Sequence, residues 1–241
     1  MNRPWTQKFR LPPTLSWADV AYTAVPAVLW GILVQSRARL ITPHCVNDPL
    51  QCVAGNLFLV DRMSLGMGNP AADSLSFKTQ YAAAWLACLI PLLWTLARRL
   101  GLKKSLQASA TDLLLFIETT LWNGFITESI RVTVQRPRPF VYADPARLGM
   151  DPAHYTSFIS GHTSFAAAAS TACVLILLGR QAPAWLVGVT TFIGGALIVS
   201  TGLFRVLAGR HFATDVVFAA IAGIASAVCV AWIHKRNNRA L

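Results

Sequence analysis

The stretch "APAWLVGVTTFIGGALIVSTGLFRVLAGRHFATD", residues 182–215, decides how this chain folds. Up to Phe204 it carries no ionisable side chain. A helix needs roughly 20 residues to cross the hydrocarbon core of a bilayer, so 182–204 reads as a membrane span. The sequence then places Arg205, Arg210, His211 and Asp215 directly against that apolar run, where a lipid-facing helix calls for leucine. Ionisable groups in such a place are costly and mark a functional site by default.

The rest of the chain repeats the pattern. Of its 241 residues, 54% are hydrophobic and only 13% charged, too apolar a balance for an ordinary soluble domain of this length. The runs "TQYAAAWLACLIPLLWTLA" (79–97) and "TSFAAAASTACVLILLG" (163–179) are also free of charge. Three further spans are less clean: 16–35 carries Asp19, 107–130 carries Asp112, Glu118 and Glu128, and 212–233 carries Asp215. The reading is an all-α integral membrane protein, a single domain over 1–241. Its six transmembrane helices (16–35, 79–97, 107–130, 163–179, 182–204 and 212–233) form one bundle with both termini on the same side. The opening "MNRPWTQKFRLPPT" is not followed by the small-residue cleavage site of a signal peptide, so the first span is expected to stay in the mature protein.

A net charge of +11 would suggest nucleic acid in a soluble chain. Here the cations fall between spans, where they set orientation and meet anionic headgroups, so the expected partner is the bilayer and not nucleic acid. Eleven of the 21 Lys and Arg sit in the termini and short connections, and the others spread over the longer 36–78 and 131–162 connections and the 205–211 turn. By density the short connections and termini are cytoplasmic and the long connections lie outside. Cys88, Cys173 and Cys229 fall within spans as small packing residues. Cys45 and Cys52, in the outer "CVNDPLQC" loop, can close a small disulfide ring if that compartment is oxidising. No cysteine pair has the spacing of a zinc site. In the same loop "NLFLVDRMSLGMGNP" is amphipathic enough to lie along the membrane surface, while prolines break the 131–162 connection into a structured, non-helical link.

This topology brings three polar clusters to one interface: "RVTVQRPRP" (131–139), "SGH" (160–162) and "RVLAGRHFATD" (205–215). Arg131 and Arg138, two helical turns apart, point the same way if the helix persists. Arg205 supplies a third guanidinium, whose planar fork suits phosphate oxygens. Ser160 and Gly161 add backbone N–H donors at a helix start. His211 and Asp215 are four apart and share a helical face, so the carboxylate can accept from one imidazole nitrogen and leave the other as a nucleophile. His162 approaches from a different helix. Two histidines around a phosphate suit in-line displacement, one attacking phosphorus and the other protonating the leaving oxygen. Any one of these arginines alone would be a headgroup anchor, and a lone histidine a helix cap; the set has a different meaning.

The clusters resemble the three-part signature of the type 2 phosphatidic acid phosphatase superfamily: Lys, six residues, Arg-Pro; then Pro-Ser-Gly-His; then Ser-Arg, five residues, His, three residues, Asp. The chain has Arg131 and Arg138-Pro139, then Ile159-Ser160-Gly161-His162, then Phe204-Arg205, His211 and Asp215, with every spacing kept. It departs in three places: Arg131 stands for lysine, Ile159 for proline and Phe204 for serine. None of these removes a reacting group. The resemblance spans nearly the whole chain and implies a six-span bundle in which His211 is the nucleophile, forming a phosphohistidine. It implies that Asp215 orients His211, and that His162 serves as acid and then as base toward water. Arg131, Arg138, Arg205, Ser160 and the Gly161 amide would hold the phosphoryl oxygens. It implies no cofactor and no metal, and no carboxylate pair or His–Cys cluster with metal-like spacing stands at the outer face.

The expected function is therefore metal-independent hydrolysis of a lipid phosphate monoester or pyrophosphate at the extracytoplasmic interface of a bacterial inner membrane, facing the periplasm or exterior. Candidate substrates are lipid A phosphate, undecaprenyl pyrophosphate, phosphatidic acid and phosphatidylglycerol phosphate, with "SFISGHTS" leaning toward the first. Alternatives are a lipid phosphotransferase using the same site, a phosphatase of soluble substrates, and a non-catalytic phospholipid-binding or transport protein. Glu118 is expected to be protonated or bonded to a neighbouring helix, and Glu128 to pair with Arg131. Arg136, Arg210 and His154 are placed near the site and within reach of a headgroup. His44 and His234 read as surface residues.

Overall fold

The computed structural model describes residues 17–237, with side chains to residue 234. The opening "MNRPWTQKFRLPPT", read above as not a signal peptide, therefore lies outside the described residues. Within them the chain is helical, without strands. Six long helices dominate: α1 Trp17–Leu40, α2 Pro70–Ala97, α3 Leu102–Val134, α4 Gly161–Gly179, α5 Ala184–Leu207 and α6 Ala213–Asn237. Each of the six expected spans overlaps one of these helices; 182–183 and 212 fall just before theirs, while most other bounds are exceeded, and α2 begins nine residues before 79. The extra turns come from local signals: Pro70 occupies the first turn, and the Asn69 side chain caps it by accepting from the N–H groups of Ala71 and Ala72 at 2.9 and 3.2 Å.

Five of the six helices are long and apolar enough to cross a membrane, which makes the chain a membrane protein. The exception is α3, whose run is broken by Asp112, Glu118 and Glu128. All three are buried against other helices and do not face outward. Asp112 pairs with Arg180 at 2.8 Å. Pro26 and Pro91 lie inside α1 and α2, as membrane helices tolerate when neighbours satisfy the freed backbone.

The centre of the bundle is α4. Ala166 to Ala169 are wholly buried, and this small-residue surface lets α2, α5 and α6 approach closely. The contact with α6 is tightest at Gly223, which lies against the Ser164 carbonyl and Ala167 with no room for a Cβ. Packing of that kind, with dispersion contacts and no aqueous driving force, is what holds helices together in lipid. α1 sits outside the bundle against α3. Outward-facing Trp185, Phe192, Val199 and Phe218 are exposed, as a lipid-facing surface requires.

One end of the bundle collects the C-termini of α1, α3 and α5 with the N-termini of α2, α4 and α6. The Leu207 carbonyl accepts from Asn69 N–H, and Gln135 bonds the Thr42 amide and the Leu40 carbonyl. The connection 41–69 is stapled by a Cys45–Cys52 disulfide with Cα atoms 5.6 Å apart, so the ring expected under oxidising conditions is closed. In the amphipathic stretch, Asp61 and Ser64 point inward and are fully buried, while Phe58, Leu59 and Met63 face out.

Candidate active site

Helix α3 ends at Val134, and Gln135 adopts left-handed angles (φ 49°, ψ 42°). Arg138 therefore does not continue the face of Arg131; it comes from the connection, where Thr156 Oγ1 accepts from its Nη2 at 3.0 Å. Arg131, still on α3, donates through Nε to the Ile159 carbonyl at 3.1 Å and through Nη1 to Glu128 at 3.3 Å. Its guanidinium lies over Gly161, where an added Cβ would meet Nη2 at 2.7 Å. Glycine is required there because a cation occupies the space a side chain would take. Ser160 caps α4, its hydroxyl 3.0 Å from Thr163 Oγ1, and the N–H groups of the first turn behind it have no partner within the helix.

Arg205, near the C-terminus of α5, reaches Asp73 at 2.5 Å and Ser76 at 3.3 Å. Arg210 pairs with the other Asp73 oxygen at 2.9 Å. His211 is buried. Its Nδ1 lies 2.7 Å from the Ser157 carbonyl and 3.8 Å from Asp215 Oδ2, so the carbonyl takes the Nδ1 proton and Nε2 is left with a lone pair. Asp215 is already committed: it accepts from Arg136 at 2.6 Å, Ser157 Oγ at 2.5 Å and the Phe212 N–H at 2.9 Å. The carboxylate thus fixes both Ser157 and the backbone beside His211, and acts on the imidazole through them. Burial pushes the His211 imidazole down to about 3, with Arg205 and Arg138 adding to the effect against the opposing pull of Asp215. His162 opens α4, sits edge-on to Phe77 with ring centroids 4.3 Å apart, and has a buried Nε2 without a hydrogen-bond partner among the described residues. Its charged neighbours are Arg205, His211, Arg131 and Asp73. The residues expected from sequence are thus brought to one end of one bundle.

Charge bookkeeping in this cluster does not close. Glu128 is shared between Arg131 and Arg37. Asp73 is shared between Arg205 and Arg210. Arg138 has no carboxylate partner among the described residues, and its Nε is buried and unpaired, as is that of Arg205. Burial lowers the Arg138 guanidinium to about 9, helped by the like charges of Arg131, Arg205, Arg210 and Arg37. A half-buried cation with other cations nearby and no carboxylate partner calls for an anion.

Sequence reasoning missed the acids that build this end. Asp61, fully buried, accepts from Arg136 at 2.8 Å and from both the amide and hydroxyl of Thr214. Arg136, placed near a headgroup by sequence, instead bridges Asp61 and Asp215 and lies 4.1 Å over the Phe212 ring. It is a strut, and those carboxylates raise its affinity for the proton despite burial. His154 turns away from the cluster: its Nδ1 bonds the Leu148 carbonyl at 2.6 Å, and its ring packs on Phe140. The other unassigned residues also find places. Glu128 pairs with Arg131 as expected. Glu118 is bonded to a neighbouring helix, as one of its two expected states requires, with His234 at 2.5 Å. His234 is the correction: it is buried, not on the surface, because Glu118 and Asp19 flank its two nitrogens. His44 is half-buried against Tyr155, with centroids 4.8 Å apart.

At one end of this helical membrane protein the guanidiniums of Arg37, Arg131, Arg136, Arg138, Arg205 and Arg210 outnumber the carboxylates of Asp61, Asp73, Glu128 and Asp215 that meet them, an excess that suits an anion. Residues 112–239 match the sequence profile of the PAP2 superfamily. The chain belongs to that superfamily, whose phosphatases act on phosphate esters. No curated protein and no solved structure matches it.

Proposed function

We propose that the chain is a six-span membrane phosphatase that hydrolyses a phosphomonoester or pyrophosphate on a lipid through a phosphohistidine at His211, without a metal. The observation that carries this reading is Arg138, a half-buried guanidinium whose buried Nε has no hydrogen-bond partner among the described residues and whose field is shared with Arg131, Arg205, Arg210 and Arg37. Phosphate supplies the charge they lack, and arginines in a water-poor pocket supply the stabilisation of developing negative charge that a metal ion gives elsewhere.

In the proposed step the Nε2 lone pair of His211 attacks phosphorus and the bond to the leaving oxygen breaks. His162 donates its proton to that oxygen. Water then attacks the phosphohistidine, His162 accepts the water proton, and inorganic phosphate leaves with the N–P bond broken. Asp215 is a positioning residue, acting on His211 through Ser157 and the Phe212 amide. Arg131, Arg138, Arg205 and the N–H groups at the start of α4 hold the phosphoryl oxygens. Ser160 contributes by capping that helix.

The lipid nature of the substrate is supported by the site's place at the end of apolar helices, where a headgroup enters while its chains remain in the bilayer. α3 spans because its acids are internally paired. The Cys45–Cys52 bridge, at the same end as the site, supports an oxidising, extracytoplasmic location and hence the periplasmic face of a bacterial inner membrane. Candidate lipids remain lipid A phosphate, undecaprenyl pyrophosphate, phosphatidic acid and phosphatidylglycerol phosphate. The test is phosphate release from this panel by detergent-purified protein in excess chelator. Release at full rate supports the reading. Transfer of phosphate only to an added lipid acceptor favours the phosphotransferase, and lipid binding without turnover favours the binding protein.

A further inference from the structure

A cavity of about 400 Å³ opens from the phosphate-binding end into the bundle between α1, α2, α3 and α4. Its mouth is formed by Arg131, Gly161 and His162. From Glu128 to Thr120 it follows α3 for two turns, roughly 12 Å at 1.5 Å per residue. Its volume lies in the range of small-molecule pockets. On the α1 side it is closed by Trp30, whose ring is seated so tightly on Gly124 that a Cβ there would lie 2.7 Å away.

The polar groups of this cavity are nearly all accounted for. Glu128 is held by Arg37 and Arg131, Thr120 donates to the Ile117 carbonyl, and Thr127 shares a hydrogen bond with Ser164. Besides His162 Nε2 at the mouth, two side-chain amides are not. Asn123, 3% exposed, donates through Nδ2 to Ser164, while its Oδ1 has no partner among the described residues. Gln80 Oε1 is buried and likewise unpartnered. Turning the Asn123 amide over would only exchange which polar end is left. Buried carbonyl oxygens of this kind are costly unless a donor meets them.

The cavity also lies on a particular side of the reaction. It is lined by His162 and not by His211. In an in-line displacement the leaving group departs opposite the nucleophile, next to the acid that protonates it. The space beside His162 is therefore where the leaving group sits.

Building on the phosphatase reading, we infer that this cavity receives a hydroxyl-bearing leaving group, a polyol or sugar joined to the phosphate, whose O–H groups donate to Asn123 and Gln80. A lipid phosphate with no donor next to the phosphate leaves both oxygens unmet, so the cavity selects for hydroxylated headgroups. Discrimination by such groups exceeds that of an apolar pocket, because the wrong substrate strands buried polar atoms.

The test compares kcat/KM for phosphatidylglycerol phosphate and lipid A, which carry donors near the phosphate, with that for phosphatidic acid, which does not. The comparison is made in wild type, Asn123→Leu and Gln80→Met. Wild type is expected to favour the hydroxylated lipids, and each substitution to lower that ratio by about tenfold, the worth of one hydrogen bond to a buried group. Gln80→Met, at a less enclosed position, covers the case in which Asn123→Leu fails to fold. Turnover with a ratio unmoved by either variant, or a wild-type preference for phosphatidic acid, overturns this inference alone. No phosphate release from any of the lipids by folded wild type would instead remove the phosphatase reading, and this inference with it.

Discussion

The molecule builds two histidine–carboxylate assemblies from the same side chains and leaves them in opposite states. At the C-terminal end of α6, His234 lies between two acids, with Nε2 2.5 Å from Glu118 and Nδ1 3.5 Å from Asp19. Glu118 also accepts from Thr23 at 3.2 Å. Both imidazole nitrogens face carboxylates, and three helices are tied together. At the other end of α6, His211 gives Nδ1 to a carbonyl and its nearby carboxylate is taken up by Arg136. Its imidazole lies in the field of the Arg205 and Arg138 guanidiniums. The first arrangement spends every valence on structure; the second keeps one lone pair and a surplus of positive charge. Residue type does not separate them, and what is left unpaired does.

The contrast breaks most visibly at His211. His211→Ala is expected to reduce phosphate release by about 10³-fold or more, while the thermal unfolding midpoint in detergent stays close to wild type. A variant that instead fails to fold would place His211 in the structural class with His234. Glu118→Ala should behave the other way. Breaking a buried pair from one side costs about 3–5 kcal/mol, visible as a lowered unfolding midpoint, with turnover per folded molecule retained. Arg138→Ala falls between the two. It should cost about 10²- to 10³-fold in kcat/KM and abolish stabilisation by added inorganic phosphate, without lowering the stability of the unliganded protein, since no carboxylate is left behind.

The smallest effect concerns pH. In the fold, burial holds His211 neutral down to about 3, whereas its ordinary value is 6.5. Below 6.5 the unfolded chain binds a proton that the folded chain does not, so this group lowers stability as pH falls from 6.5 toward 3. Unfolding midpoints measured over that window should drop less steeply for His211→Gln than for wild type. The same displacement keeps His211 deprotonated in the free protein at neutral pH, as the proposed nucleophile requires.

Much of this was open to a reader of the sequence. Charge-free runs of membrane length gave the helices, and the fixed spacings among Arg131, Arg138, His162, Arg205, His211 and Asp215 pointed to one phosphate-handling end. Two kinds of residue stayed hidden. Asp61 and Asp73 anchor Arg136, Arg205 and Arg210, yet they come from a loop and a helix start far away in sequence, where an acid is unremarkable. His234 was misread because it adjoins the basic tail "HKRNNRAL" and so looks like part of a wetted end. The signal against that was present: Asp19 and Glu118 lie in apolar spans and each needs a partner. Arg136 and Arg138 are two residues apart in a proline-rich connection, and only the fold reveals that one bridges Asp61 and Asp215 while the other has no carboxylate partner among the described residues.

The central claim is that His211 carries the phosphoryl group. The most direct measurement is rapid quench of the purified protein during turnover of a lipid phosphate, followed by mass spectrometry under alkaline conditions that preserve phosphohistidine. The account predicts a transient phosphate on His211 that forms and decays at rates compatible with turnover. Steady release of phosphate with no covalent phosphoprotein, or with the label on another residue, would contradict it.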